Sequence, residues 1–459
     1  MRSRGVALAA GLVAALAATA SLTSVLGATN PSALPAGLAV AAGAESSALY
    51  CTGLSDATGA VQGVVTFLNT EPASRTVTVT IVSDTGHHAS ATLHLAGHTR
   101  ASLAPEQLVT GHSFGVSAVV DGGGVVADEL TASRSSVVPC PGAGVTAWYG
   151  SGLDTSVGSG AALSFYNPTA TPAVVNVTAN TPSGFVAPAP FQGLPVAAHA
   201  EVVLNLGGQI VNTRDVGVRV NVVRGTLVIA GVEDSGTVGS IDVGALAPAT
   251  TAWFPRVTTA DQALAEVRVA NPGATVVTVN VHVALGAFHV PDQTLSVAPY
   301  AATTVTITPN SAIPAAGYAV VTLSASAPVV ATLATGTGAG VSLTPAPTPG
   351  TLFLLADLGT GYASATITNT SGRPVTVNFP RAFTVREVGV VAGAAIAAAP
   401  GRARLAPHAT VDLLGVDAGV TSLAHTAVEV TAAHPVIVVS ATLATTPVGL
   451  SVVVPSGGG

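Results

Sequence analysis

Lysine is absent from the 459-residue sequence, and its fifteen basic residues are all arginine. That excludes Schiff-base chemistry, a phosphate-loop lysine and lysine isopeptide cross-links. Charged residues reach only 8%, against the ~25% usual for soluble proteins. With a net charge of -7, the chain has no basic excess to displace counterions from a phosphate backbone, so no nucleic acid is expected as a partner. Aromatics are scarce at 4%, with two tryptophans, Trp148 and Trp253. The two cysteines, Cys51 and Cys140, lack C-x-x-C spacing. H-E-x-x-H, a phosphate loop and an EF-hand loop are missing too, and no metal or cofactor is expected. After the N-terminus no apolar run is long enough to span a bilayer; Val390 to Ala399 is too short.

What is present is a repeat. Asparagines closing an apolar run recur at Asn69, Asn167, Asn271 and Asn369, separated by 98, 104 and 98 residues. Aromatic anchors Tyr50, Tyr149, Phe254 and Phe353 keep nearly the same spacing. A fixed period of this size means one folding unit copied in tandem. The units are placed at residues 47–145, 146–248, 249–346 and 347–455, with 456–459 as a tail.

Residues 1–28 read as a signal peptide or membrane anchor. Arg2 and Arg4 precede the apolar run Gly5 to Ala18, and Ala18-Thr19-Ala20 supplies the small residues of a cleavage site. The protein is therefore expected outside the cytoplasm, touching a membrane only through this segment if it is retained. In an oxidising compartment Cys51 and Cys140 are expected to pair, tying the first strand of the first unit to its last. Residues 29–46, rich in Ala, Ser, Gly and Pro, read as a linker.

Short runs rich in Val and Thr, bounded by Gly, Pro, Asn and Asp, predict strands throughout. The second unit shows about seven, from Trp148-Tyr149 through Ala161 to Tyr166 and onward. Each unit is expected to close on a hairpin, around Asp121-Gly122-Gly123-Gly124, Arg224-Gly225, Ser326-Ala327-Pro328 and His434-Pro435. Seven short strands per hundred residues predict an all-β chain of four tandem immunoglobulin-like β-sandwich domains after the export segment. A single propeller is the competing fold, though its blades repeat at about 40–50 residues.

Chemistry-bearing strings are few. Gly111-His112-Ser113-Phe114-Gly115 fits the nucleophile elbow G-x-S-x-G, but a strand follows where the elbow requires a helix, and a turn accounts for both glycines. His87, His88, His94, His98 and His112 cluster in the first unit, where alternation along a strand keeps neighbours from converging on one metal. The four asparagines suit strand-ending turns, their side chains bonding backbone two residues on. Trp148 and Trp253 are possible ligand contacts, since an exposed ring can stack on a pyranose face.

The Trp-Tyr and Trp-Phe openings, the phrase Gly160-Ala161-Ala162-Leu163-Ser164-Phe165-Tyr166-Asn167-Pro168 and its echo Val267-Arg268-Val269-Ala270-Asn271-Pro272 make the chain similar to a family. It comprises actinobacterial secreted or membrane-anchored proteins of unknown function, and residues 47 to 455 carry the likeness. The lack of lysine fits a GC-rich genome. The first and fourth units depart from the pattern, having no Trp before Tyr50 or Phe353 and no Pro after Asn69 or Asn369. The resemblance implies an extracytoplasmic location and no particular activity. The expected function is a non-catalytic structural or interaction protein of the cell envelope, a rod of sandwiches whose partner is a cell-wall glycan or envelope protein. A carbohydrate-binding module is the alternative, and an enzyme or enzyme accessory subunit a distant one.

Overall fold

Alternation sets the strands. In Val277–Ala284 the four valines at every second position are buried while Thr278, Asn280 and His282 are exposed, a pattern only a pleated strand satisfies. A computed structural model describes residues 38–40, 48–55, 63–131, 137–234, 239–259, 264–285, 290–307, 309–310, 313, 315, 317–337, 340–346, 350–356, 362–379, 383–388, 397–399, 401–415, 428–443 and 451–452. The expected export segment and the C-terminal tail lie outside these residues. The described residues contain no α-helix; strands are joined by turns and two single 3₁₀ turns at Pro105–Gln107 and Ala189–Phe191.

In chain order, β1 is Leu38–Val40. The first unit holds β2 (Ala48–Ser55), β3 (Gly63–Asn69), β4 (Arg75–Ser83), β5 (His88–Leu95), β6 (Arg100–Leu103), β7 (Ser113–Val120), β8 (Val125–Thr131) and β9 (Val137–Pro139). The second holds β10 (Ala147–Leu153), β11 (Gly160–Asn167), β12 (Ala173–Thr181), β13 (Gly184–Val186), β14 (Leu194–Val196), β15 (Ala200–Asn205), β16 (Val216–Arg224), β17 (Val228–Asp234) and β18 (Gly239–Asp242). The third holds β19 (Ala249–Thr259), β20 (Leu264–Ala270), β21 (Val277–Ala284), β22 (Gln293–Val297), β23 (Ala302–Thr306), β24 (Gly317–Thr337) and β25 (Gly340–Pro345). The fourth holds β26 (Gly350–Ala356), β27 (Tyr362–Asn369), β28 (Val375–Asn378), β29 (Phe383–Val388), β30 (Ala397–Ala399), β31 (Arg402–Leu405), β32 (Thr410–Gly415), β33 (Val428–Leu443) and β34 (Ser451–Val452).

The first unit forms two sheets, ordered β2-β7-β4-β5 and β6-β3-β8-β9, and the second repeats them as β10-β16-β12-β13 and β15-β11-β17-β18. Leu49, Val79 and Val116 from one sheet and Phe67 and Val125 from the other share one buried cluster. Each such side chain contributes about 1.5–3 kcal/mol on burial. The expected closing hairpin does not form. β7 is paired on both edges, by β2 and β4, and β8 by β3 and β9, so the Gly-rich turn carries the chain from one sheet to the facing one. In the third unit the crossing is a single strand, β24, whose first half pairs β19 and β21 and whose second half pairs β20 and β25. A period of two reveals a strand but not which edges it pairs, which is why two successive strands passed for a hairpin.

The all-β expectation holds; the arrangement is a propeller-like ring rather than four sandwiches in a row. β2 touches β11 and β17, β10 touches β20 and β24, β19 touches β27 and β33, and β9 touches β34 and β1. Around the inside, β9, β18, β25 and β34 follow one another in contact. The inner strands β17 and β18 are buried on both faces, so cores run on between units: Ala230 and Ile241 join the first unit's cluster, and Ala334 and Leu343 join the second's. Within the segment read as linker, β1 is a strand, with Leu38, Ala39 and Val40 opposite Ala356, Leu355 and Leu354. The N-terminal strand thus sits on the last unit and against the first, as ring closure requires.

The four asparagines are fully buried and make one set of bonds each time. Asn167 Nδ2 donates to the carbonyls of Thr171, Val196 and Ala197, while its Oδ1 accepts the N–H of Thr169. Asn69, Asn271 and Asn369 repeat this on Ala73, Leu95 and Ala96, on Thr275, Val297 and Ala298, and on Arg373, Leu405 and Ala406. The bond two residues on was expected from the sequence; the staple to a distant turn was not. That distant turn places His98, His199, Tyr300 and His408 at φ between 51° and 59°. Pro299 and Pro407 precede two of these residues, the order of a type II turn.

Asn167→Ala is expected to cost about 2–3 kcal/mol, because it strands buried backbone groups. Asn167→Asp is expected to cost more, since a second oxygen then faces three carbonyl oxygens. Urea unfolding measures both; a change under about 0.5 kcal/mol for the alanine variant would remove the staple from the account.

Candidate functional site

Cys51, in β2, and Cys140, beyond β9, are joined in a disulfide with a Cα–Cα distance of 4.8 Å, fastening the two sheets of the first unit together. Trp148 is 1% exposed and its Nε1 donates to the carbonyl of Val243 at 2.7 Å. It is a core residue, closed to a ligand at the outer surface, and its ring lines an internal cavity. Trp253 is half-buried and stacks on His408 of the next unit, 5.5 Å between centroids at 10°.

Ser113 opens β7 and is buried, its hydroxyl donating to Glu201 Oε1 of the second unit at 3.0 Å. The neighbouring His112 is exposed and points to Asp84, Nδ1 to Oδ2 3.6 Å. The elbow-like string therefore splits its serine and histidine between opposite sides of a strand. Gly115 answers to packing and not to a turn: a Cβ there would lie 2.3 Å from the Tyr166 ring of the next unit. The first unit's histidines disperse, with His87 on Thr85 and Thr110 and His94 on Thr76.

Polar groups concentrate at the junctions between units, at a position readable in sequence: three residues before each repeat asparagine stand Thr66, Ser164, Arg268 and Thr366, all buried. Between the first and second units, the Glu201 carboxylate accepts from Thr52 at 3.0 Å, from Ser113 and from Ser164. Between the second and third, Arg268 donates to the Gly152 carbonyl and lies 3.6 Å from Asp215 and 3.3 Å from Glu266, while Ser151 donates to Thr332 at 2.8 Å. Between the third and fourth, Arg256 meets Asp412 at 3.2 Å beneath the Tyr318 ring, and Thr366 donates to Asp412 at 2.6 Å. Lone charges in apolar strands were the signal for Glu201, Arg256, Arg268 and Asp412, which sequence reading passed over.

Burial dominates the protonation of the acids here. Desolvation pushes Glu201 up to about 7, against the lowering effect of its three hydroxyl donors. Glu233 is pushed to about 8 despite nearby Arg268, and Asp242 to about 7. Asp128 and Glu129 are also raised by burial, well above the usual carboxylate range.

A cavity of about 640 Å³ opens among the first three units. Pro141, Trp148, Leu227, Val243, Ala252 and Val329 give it an apolar wall; Cys51, Cys140 and Glu129 also line it. The two sulfurs and a Glu129 oxygen lie within 4.8 Å of one another. Both sulfurs are committed to the disulfide, so this trio supplies no thiolate to a metal. The cavity can hold an apolar group against one acid, and Thr52 and Thr251 supply hydroxyls elsewhere on its lining.

The profile of a family of unknown function (DUF5719) matches residues 135–337, which run from the last strand of the first unit through the second unit to the end of β24 in the third. No curated protein matches. A solved structure, described as a tetra-tandem repeat in the extending region of a large adhesion protein, aligns over 88% of this chain and 97% of its own at 12% identity and a TM-score of 0.11.

Each acid raised by burial holds its proton in the folded chain over a range where the unfolded chain has lost it. Its stabilising contribution is full below the unfolded value, 4.5 for Glu201, and is lost as pH rises through about 7. Glu201→Gln keeps the neutral shape and removes this dependence. Unfolding midpoints across about pH 5 to 8 are expected to fall more steeply for the parent than for the variant; parallel slopes would contradict the assignment.

Proposed function

We propose that this chain is a non-catalytic, extracytoplasmic interaction protein of the cell envelope, made from four immunoglobulin-like two-sheet units closed into a ring. The observation that carries this reading is where the chemistry-bearing groups go. Ser113, Glu201, Arg256, Arg268 and Asp412 are consumed in unit-to-unit junctions, bonded to one another, to structural hydroxyls or, for Arg268, to the Gly152 carbonyl. A hydrolytic site needs a nucleophile and a base aimed at one open point, and burial in a junction prevents that. Export is supported by the basic and apolar leader and by a disulfide compatible with an oxidising compartment. Among the described residues no helix is long and apolar enough to cross a membrane. The closed ring replaces the rod as the form presented to a partner.

A reporter active only after export, fused behind residue 46, is expected to be active; an inactive fusion defeats the location. The purified chain is expected to cosediment with isolated cell-wall sacculi and to leave p-nitrophenyl esters and glycosides intact. Turnover of either substrate that disappears in Ser113→Ala would overturn the non-catalytic reading.

A further inference from the structure

The outward face of the second unit carries a cleft of about 520 Å³ whose lining differs from every junction: Phe185, Tyr300, Asn176, Asn221, Gln192 and Arg219, with Thr178 between them. Asn176 stands opposite Asn221, and Thr178 opposite Arg219, on the paired strands β12 and β16. These side chains project away from the core that holds Val175, Val177, Val218 and Val220. At the rim, Phe185 is 54% and Tyr300 36% exposed, their centroids 5.4 Å apart at 60°. Large aromatics left this open are uncommon in a chain that is 4% aromatic.

Two features make this a built site. Tyr300 sits at a φ of 55°, a left-handed conformation that L side chains rarely adopt, and its N–H donates to the Gly273 carbonyl at 3.1 Å. The third unit's turn thereby positions a ring against the second unit's Phe185, so the cleft is complete only when the two units are docked. The floor amides are also fixed in orientation. Asn176 Oδ1 accepts the Gly193 N–H at 2.7 Å, which turns its NH₂ group into the donor available to a ligand. Gln192 Nε2 donates to Val177 O at 2.7 Å, which makes its oxygen the acceptor.

Arg219 also lines an adjoining depression of about 260 Å³ with Tyr149, Pro272 and Pro328, its guanidinium 5.8 Å from the centre of the Tyr149 ring. Neither lining contains a carboxylate. The surface therefore runs from one aromatic pair, over a polar amide floor, past one cation, to a second aromatic.

We propose that this cleft binds an oligosaccharide bearing a carboxylate, a uronate-type sugar, at Arg219. A pyranose has an apolar C–H face and a rim of hydroxyls that each donate and accept. Phe185 and Tyr300 supply the face, Asn176, Asn221 and Gln192 the paired donors and acceptors, and Arg219 a fork for a carboxylate. This rests on the reading of the chain as an extracytoplasmic interaction protein and names its ligand class. It also places the glycan contact on rings other than Trp148 and Trp253.

The test uses the whole chain. An array of neutral and uronate-containing oligosaccharides, the latter including polygalacturonate and alginate fragments, is expected to retain the protein on uronate members. Calorimetric titration with the best of these should weaken about tenfold or more in Phe185→Ala and in Tyr300→Ala, with Phe185→Tyr retaining binding. Arg219→Gln should lower the preference for uronate over neutral members by a similar factor. Thermal melts check that each variant is folded. An array with no retained sugar, or binding indifferent to Phe185→Ala and Arg219→Gln, overturns the site. Sacculus binding that persists unchanged in those variants overturns the cleft while leaving the envelope reading standing, and loss of sacculus binding in the parent defeats both.

Discussion

The interaction on which the ring depends is the buried asparagine at the end of the second strand of each unit. An amide buried without partners is costly, and here both its ends are satisfied by backbone. The oxygen holds its own turn, and the nitrogen reaches three carbonyls, two of them at a turn about thirty residues further on in the second unit. That pins the end of one sheet to a connection leaving the other, fixing how the two sheets face before any apolar contact is counted. Valine-rich sheets alone would not set this angle, because dispersion between branched side chains is nearly indifferent to a small rotation. The four copies keep the same bonds while the residues around them change, which shows the staple to be a geometric requirement of the unit.

With the sheets so fixed, each unit has an outer face that must be covered by its neighbour. The junctions could have been wholly apolar, and by transfer energies alone that would often be as stable. Instead they differ: a carboxyl among hydroxyls, an arginine against a carbonyl and two acids, an arginine–aspartate pair under a tyrosine. An arginine placed opposite the wrong unit would bury an unpaired charge, a penalty of several kcal/mol. Units of similar sequence are thus prevented from docking out of order, which matters in a closed ring where any misordered pair leaves two others unmatched. The same burial that makes the junctions selective holds Glu201, Glu233 and Asp242 protonated up to about pH 7 to 8.

How much of this was legible in the sequence follows from what each signal reports. Alternation reports local conformation, so the strands and the four asparagines could be read from Val277–Ala284 or Ala161–Tyr166. It is silent on pairing, and the chain crossing between sheets at Asp121–Gly124 reads like a hairpin until both edges of β7 are seen to be occupied. Trp148 opens a unit like Trp253, yet the first is sealed against Val243 and the second stacks half-buried on His408, a distinction made by contacts more than ninety residues away. Ring closure through Leu38–Val40 was hidden by composition, since three apolar residues amid alanine and glycine carry no periodic signature. Gly115 was visible but misassigned, because the ring it accommodates belongs to another unit.

The residue after the distant turn's second position shows how function can enter a repeat without disturbing it. The staple demands a positive φ there, and the turn's own bonds enforce it: the N–H of His98, His199 and Tyr300 each reaches a carbonyl two residues past the corresponding asparagine. With the backbone held by those bonds, the side chain is exposed in all four copies, and in Tyr300 and His408 it meets a ring of the preceding unit. Histidine occupies the position in three copies and tyrosine in the third unit. Where histidine meets Trp253 the two rings cover each other; where tyrosine meets Phe185 the pair stands open above an amide floor and an arginine. Identical backbone geometry therefore yields a closed contact at one junction and an exposed aromatic cleft at another. The copies thus diverge in side chain at a position that the fold has already fixed in space.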